Sequence, residues 1–226
     1  MKNFFNKIVR VICKSAIFIY CKIVYRAKII GTENIPKTGP IIFCGNHKTF
    51  LDPPLLEVTC KRDDTRFLAK EELTKNPFLA FLGKIFDAIL VKRNDKDFGP
   101  MKESLKTLKE GKCIALFPEG TRNGLKKGIK PKTGVAYFAL NSDATVIPVG
   151  IKGGEKPFQK TVITYGKPID VEKYKANRKD KEVLEEVTNI IMDNIMDLTK
   201  WTKLSSLFSK GPFFLRKETV PLKNVM

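Results

Sequence analysis

A single histidine stands in this chain of 226 residues, within Asn46-His47-Lys48-Thr49-Phe50-Leu51-Asp52. Histidine is the side chain whose unperturbed pKa suits proton transfer near neutrality. An aspartate close behind it supplies what such a base needs. A carboxylate on one ring nitrogen fixes the tautomer and leaves the other nitrogen to take a proton. A lone histidine is more often a surface or satisfied core residue, so the pair gains weight only from residues elsewhere that could hold a substrate.

Such residues recur along the chain. Gly111 to Leu116 reads as a buried strand running into Phe117-Pro118-Glu119-Gly120-Thr121-Arg122. Ligand crevices in open α/β sheets lie at the carboxyl ends of strands, and an arginine there offers planar, bidentate recognition of phosphate. Ala88 to Arg93 likewise ends a strand in two cations, and Lys130-Pro131-Lys132-Thr133-Gly134 leads basic residues into a helix N-terminus, which favours anions. Each cluster alone reads equally well as a solvated loop. Together they offer one base and three cationic loops on a common rim.

The elements that must position these groups follow from hydrophobic periodicity. Pro40–Cys44 is an apolar run of strand type ending at Gly45-Asn46-His47, and Asp52-Pro53-Pro54 reads as a helix start with Asp52 at or near the N-cap. Further strands are expected at 66–69, 88–92, 113–117, 145–149 and 161–165. Helices are expected at 76–86, 99–109, 133–141 and 181–201. This alternation predicts a single layered α/β domain over residues 31–200, with a largely parallel central sheet flanked by helices.

The first thirty residues differ. Lys7, Arg10, Lys14 and Lys22 share an arc of roughly 120° on a helix, with Arg26 extending it and the rest of the surface apolar. No stretch reaches the length of about 20 apolar residues that a spanning helix needs, and Lys14 breaks any signal-peptide core. Residues 1–30 are therefore expected to form an amphipathic helix or helix pair lying in the membrane interface, its cationic side toward the headgroups. The alternative is a helix packed on the protein's own core. Residues 201–226 form a basic, aromatic tail, either a second membrane contact or a frayed end.

Composition narrows the partners. A formal charge of +18 points to polyanions: nucleic acid, an anionic lipid surface or phosphorylated substrates. Five cysteines without a Cys-x-x-Cys pair, and one histidine, give no zinc spacing, so no metal is expected and the thiols are read as reduced packing residues of a cytosolic chain. No helix-turn-helix, zinc-finger or RNP signature supports nucleic acid as the partner.

The order of Asn46-His47-x-x-x-x-Asp52, Phe117-Pro118-Glu119-Gly120-Thr121-Arg122 and Val146-Ile147-Pro148-Val149 resembles the glycerolipid acyltransferases, over roughly Lys28 to Pro168. The resemblance implies that His47 is the general base and Asp52 its orienting partner. It implies that Arg93, Glu119, Gly120, Thr121 and Arg122 bind a glycerol phosphate, with a lysine at Lys130 or Lys132 helping, and that Pro148 lies on the acyl-donor side. Gly83 to Arg93 fits the second motif loosely. Thr49 fills the place of a small hydroxyl residue, while Lys48 occupies a variable position. The implied reaction is direct transfer from acyl-CoA or an acyl carrier protein thioester to the sn-2 hydroxyl of lysophosphatidate, without a resident cofactor. Related glycerol-3-phosphate or lysophospholipid acyltransferases share these motifs. The enzyme would sit, peripheral or monotopic, on the anionic cytoplasmic face of the cell membrane.

Overall fold

In the computed structural model, which describes residues 2–92 and 98–201, strands and helices alternate after one long initial helix. The order is α1 (Lys2–Val24), β1 (Lys28–Ile30), β2 (Ile41–Gly45), α2 (Asp52–Thr59), β3 (Thr65–Lys70), α3 (Pro77–Ile85), β4 (Ile89–Val91), α4 (Gly99–Lys109), β5 (Cys113–Leu116), α5 (Gly134–Leu140), β6 (Thr145–Lys152), β7 (Val162–Tyr165) and α6 (Lys181–Trp201). The seven strands form one sheet in the order β1-β7-β6-β2-β5-β3-β4. Strands β6, β2, β5, β3 and β4 are parallel throughout, whereas β7 pairs antiparallel to β6 and carries β1 with it. The architecture is the α/β fold with a largely parallel sheet that the alternation predicts.

Both faces of the sheet are covered, which is why its central strands read as continuous apolar runs. On one face Ile42, Ile114 and Val146 pack with Val135 and Phe138 of α5 and Val187, Ile191 and Ile195 of α6. On the other, Ile41, Phe43, Ala115, Ile147 and Val149 pack with Leu55 and Leu56 of α2 and Cys21 of α1. Local signals set several helix starts. Asn76 caps α3 by accepting hydrogen bonds from the N–H groups of Phe78 and Leu79, with Pro77 in the first turn.

Two expectations for the N-terminus need correction. First, a single helix ends at Val24, and residues 28–30 belong to the sheet as edge strand β1, paired with β7. Three residues carry too little periodicity to announce a strand. Second, the polarity of α1 is the reverse of that expected. Arg10 and Lys14 turn inward and reach Glu57 of α2 at 3.1 and 3.0 Å, and Lys14 also meets Asp63 at 2.8 Å. The outward surface holds Ile8, Val11, Ile12, Ile19 and Ile23, all exposed. A buried carboxylate on α2 demands cations, and only one side of α1 has them. Among the described residues no helix is long and apolar enough to cross a membrane. The tail from residue 202 onward, and Arg93, lie outside the described residues.

Candidate active site

Strands β2 and β5 are parallel neighbours with Cys44 opposite Leu116, so the segments that follow leave the sheet at the same level. Gly45-Asn46-His47 and Phe117-Pro118-Glu119 thus run side by side across 72 positions of sequence. The His47 loop is tied down on both flanks. Its N–H donates to Glu119 Oε1 at 2.9 Å, and its carbonyl accepts from the Asn123 N–H at 2.6 Å. On the β6 side the Asn46 amide exchanges two hydrogen bonds with the backbone of Ile151, at 2.9 and 2.7 Å. A side chain here prolongs the β2–β6 ladder by one step and fixes where the loop begins.

The dyad itself is short and well buried at its acidic end. His47 Nδ1 lies 2.9 Å from Asp52 Oδ2. That oxygen also accepts from the N–H groups of Lys48 and Thr49 at 2.5 and 2.7 Å, while Oδ1 accepts from Thr49 Oγ1 at 2.9 Å. Asp52 is 2 % exposed. It is the first residue of α2 rather than its N-cap, which is Leu51. Pro53 and Pro54 contribute no N–H, so the helix start has few donors to cap, and the carboxylate folds back onto the loop. The imidazole is stacked on Phe117 with ring centroids 4.6 Å apart and 24° between planes. Gly45 makes room for that shelf, since a Cβ there would stand 3.1 Å from the Phe117 ring. In the tautomer that donates Nδ1–H to Asp52, Nε2 is left as the ring's acceptor.

Glu119 is 4 % exposed, and both its oxygens are engaged by backbone, Oε1 by His47 N–H and Oε2 by Leu125 N–H at 3.0 Å. Its carboxylate therefore braces the loop that carries His47. Exchanging it for the isosteric amide turns a donor toward one of those N–H groups. With His47 as the general base that the resemblance implies, Glu119→Gln is expected to lower kcat about tenfold or more while moving acceptor KM less than about threefold. A fall confined to KM would instead show the carboxylate to be a substrate contact.

The basic residues line the segment that follows. Gly120 has φ of 61°, a left-handed conformation suited to glycine, and a Cβ on it would meet Lys132 Cγ at 3.3 Å. The Lys132 N–H donates to the Pro118 carbonyl at 2.7 Å, which fixes its backbone beside this turn while the residue stays exposed. Arg122 and Lys130 are exposed, and Thr121 is half-buried. Arg122 precedes Asn123, whose N–H bonds the His47 carbonyl, so the basic loop is tied to the His47 loop through its backbone. The structure thus gathers His47, Asp52, Glu119, Gly120, Thr121, Arg122 and Lys132 at one end of the sheet. Pro148 is not among them. It lies opposite Cys44 on β6 and faces Gly166 and Leu198 of α6, on the side of the sheet away from Phe117.

Sequence reasoning gave no role to Asn46, Phe117 or Asn123, and it treated Lys48 as variable. The Lys48 ammonium ion-pairs with Glu155 and reaches the Gly153 carbonyl at 3.4 Å. Only the clustering of Asn46 and Phe117 within motifs could have flagged them. Among the described residues no three His, Cys, Asp or Glu side chains gather around a metal-sized space. Burial pushes the thiols of Cys21 and Cys60 up to about 11 and that of Cys113 up to about 12, which keeps them protonated and unreactive near neutrality.

The structure thus holds an oriented imidazole at a strand end, beside a basic loop. The sequence profile of the acyltransferase family matches residues 26–152, and the chain belongs to that enzyme family. Its relatives include the 1-acyl-sn-glycerol-3-phosphate acyltransferase of Borreliella burgdorferi, 30% identical over 186 residues, covering 78% of this chain and 72% of that one. The enzyme of the same name from Bacillus subtilis is 25% identical over 191 residues, covering 82% of this chain and 94% of the relative. The fold matches the crystal structure of the 1-acyl-sn-glycerophosphate (LPA) acyltransferase PlsC from Thermotoga maritima, with a TM-score of 0.63 at 23% identity, covering 88% of this chain and 83% of the other.

Proposed function

We propose that this chain transfers a fatty acyl group from a thioester, acyl-CoA or acyl carrier protein, to the sn-2 hydroxyl of 1-acyl-sn-glycerol-3-phosphate, giving phosphatidate. The observation that carries the reading is the His47–Asp52 dyad at the end of β2, beside the basic loop that follows β5, in a chain whose relatives bear that activity in their names. His47 Nε2 takes the hydroxyl proton as the oxygen attacks the thioester carbonyl. The C–S bond breaks, and the leaving thiolate takes the proton from the imidazolium. Asp52 holds the tautomer and balances the transient positive charge.

A thiolate is a good leaving group, so no acyl-enzyme is needed. Cys44, the thiol nearest the dyad in sequence, is fully buried, and burial pushes it far above the ordinary thiol range. Thr49 Oγ1 is committed to Asp52. Arg122 and Lys132, joined by Lys130 and Arg93, clamp the acceptor phosphate. Glu119 is assigned the positioning of the His47 loop rather than contact with the phosphate. Pro148, across the sheet from the dyad, is given no part in the transfer step.

The outward apolar face of α1 supports a peripheral or monotopic seat on an anionic membrane, on the cytoplasmic side where thioester donors are made. Its apolar side chains supply burial, and the surplus lysines attract the surface at about 1 kcal/mol each.

The test is thiol release from oleoyl-CoA, and from an acyl carrier protein thioester, with and without 1-acyl-sn-glycerol-3-phosphate. Release dependent on that acceptor is expected. Release only with another lysophospholipid or with glycerol 3-phosphate would move the assignment to a different acceptor. In the same assay Arg122→Ala is expected to raise acceptor KM roughly ten- to hundredfold, as loss of a charge-assisted phosphate contact does, with a smaller change in kcat. An unchanged KM would remove Arg122 from the clamp.

A further inference from the structure

The loop between β6 and β7 joins the catalytic end of the sheet to the end of α1. On one side the Lys48 ammonium holds Glu155 and the Gly153 carbonyl. On the other, the Phe158 N–H donates to the Val24 carbonyl at 2.6 Å, and the Thr161 N–H to that of Tyr25 at 3.0 Å. Between these ties Phe158 is 70 % exposed, with Lys156 and Lys160 exposed on either flank.

Single exposed apolar residues are ordinary, but this one is held out. Its φ is 62°, a left-handed conformation that a bulky residue adopts only when its surroundings impose it. The imposing contacts are the bond to Val24 and the Gln159 side chain, which accepts from the N–H groups of Glu155 and Lys156 at 3.0 and 3.2 Å. The end of α1 that it touches exposes Ile19, Tyr20 and Ile23. The loop's one acidic side chain, Glu155, is neutralised by Lys48, so the tip is cationic and aromatic.

We propose that the β6–β7 loop is a second bilayer contact, with Phe158 inserting among acyl chains and Lys156 and Lys160 meeting anionic headgroups. This deepens the membrane seat proposed for α1 and rests on it. It adds an anchor that reaches Lys48, the residue after the base, so that the open end of the sheet is held close to the lipid surface.

The full chain with its one tryptophan removed (Trp201→Phe) provides the background for two reporters, Phe158→Trp and Ile12→Trp. Each is mixed with phosphatidylglycerol–phosphatidylcholine vesicles whose acyl chains are brominated. Blue-shifted, bromine-quenched emission from both is expected, weaker on pure phosphatidylcholine. Quenching of Ile12→Trp alone would overturn the loop contact and leave the α1 seat standing, whereas quenching of neither would overturn both. Phe158→Gly, which relieves the left-handed strain, is expected to melt no lower than the parent while losing about tenfold in vesicle affinity. Unchanged affinity in that variant would also overturn the proposal.

Discussion

Alanine at position 47 is expected to lower kcat by about 10²–10⁴, the usual contribution of a positioned general base, with the thermal midpoint nearly unchanged. The side chain is 20% exposed, so truncation opens a surface notch more than a cavity. The loop's backbone bonds to Glu119 and Asn123 do not involve the ring. Asp52→Asn is the companion test. Asp52 accepts from His47 Nδ1, two N–H groups and the Thr49 hydroxyl, and an amide must turn a donor toward some of them. It should lose rate and also stability, whereas His47→Ala should lose rate alone. Full activity in a folded His47→Ala protein would refute the mechanism.

The largest effect on stability is expected where α1 meets α2. Arg10 and Lys14 both bind Glu57 Oε1, whose side chain is 3% exposed, and Oε2 has no partner. Removing both cations (Arg10→Met with Lys14→Met) leaves a buried carboxylate alone and should cost about 3–5 kcal/mol at neutral pH. Burial already pushes the Glu57 carboxyl above its ordinary value, against the pull of Lys14 and Arg10, and losing them pushes it further. A folded value above the unfolded one means that the folded chain keeps this proton longer. Its contribution to stability is full below the unfolded value, near 4.5, and is lost as pH rises through the folded one. Urea melts of the double variant should therefore show stability falling steeply with rising pH across that window. Adding Glu57→Leu should flatten the slope and restore most of the loss, because well-packed apolar residues often replace a buried ion pair without cost. Equal stability of the double variant and the parent at neutral pH would show that the ion cluster contributes nothing.

Strands within the sheet announce themselves because they are apolar on both faces. The run before Asn46 and the one at Cys113 are shifted by at most a residue from their sequence positions, and α4 and α6 match at both ends. The dyad was legible for a related reason: a histidine at a strand end and an aspartate before two prolines are local facts. What stayed hidden depends on distant partners. The strand at Lys28–Ile30 exists because Val162–Thr164 lies beside it. The arc of cations on α1 was visible, but its direction depends on Glu57, which looks like any polar position of a short helix. Glu119 sits beside Thr121 and Arg122 and so reads as part of a binding turn. Only the level ends of β2 and β5 show that its carboxylate supports the neighbouring loop.

Those long-range dependencies also impose an order in time. Asn46 is fastened by Ile151, 105 residues later in the chain. At synthesis rates of about 5–20 residues per second, its partner follows about 5 to 20 seconds behind. The partners of α1, Glu57 and Asp63, come 47 and 49 positions after Arg10 and Lys14, well before β6 is made. A nascent chain can thus seat α1 on α2 while the His47 loop still lacks its fastening on β6. On the function proposed above, the apolar face of α1 is therefore in place before the His47 loop is, so that lipid binding can begin ahead of acyl transfer.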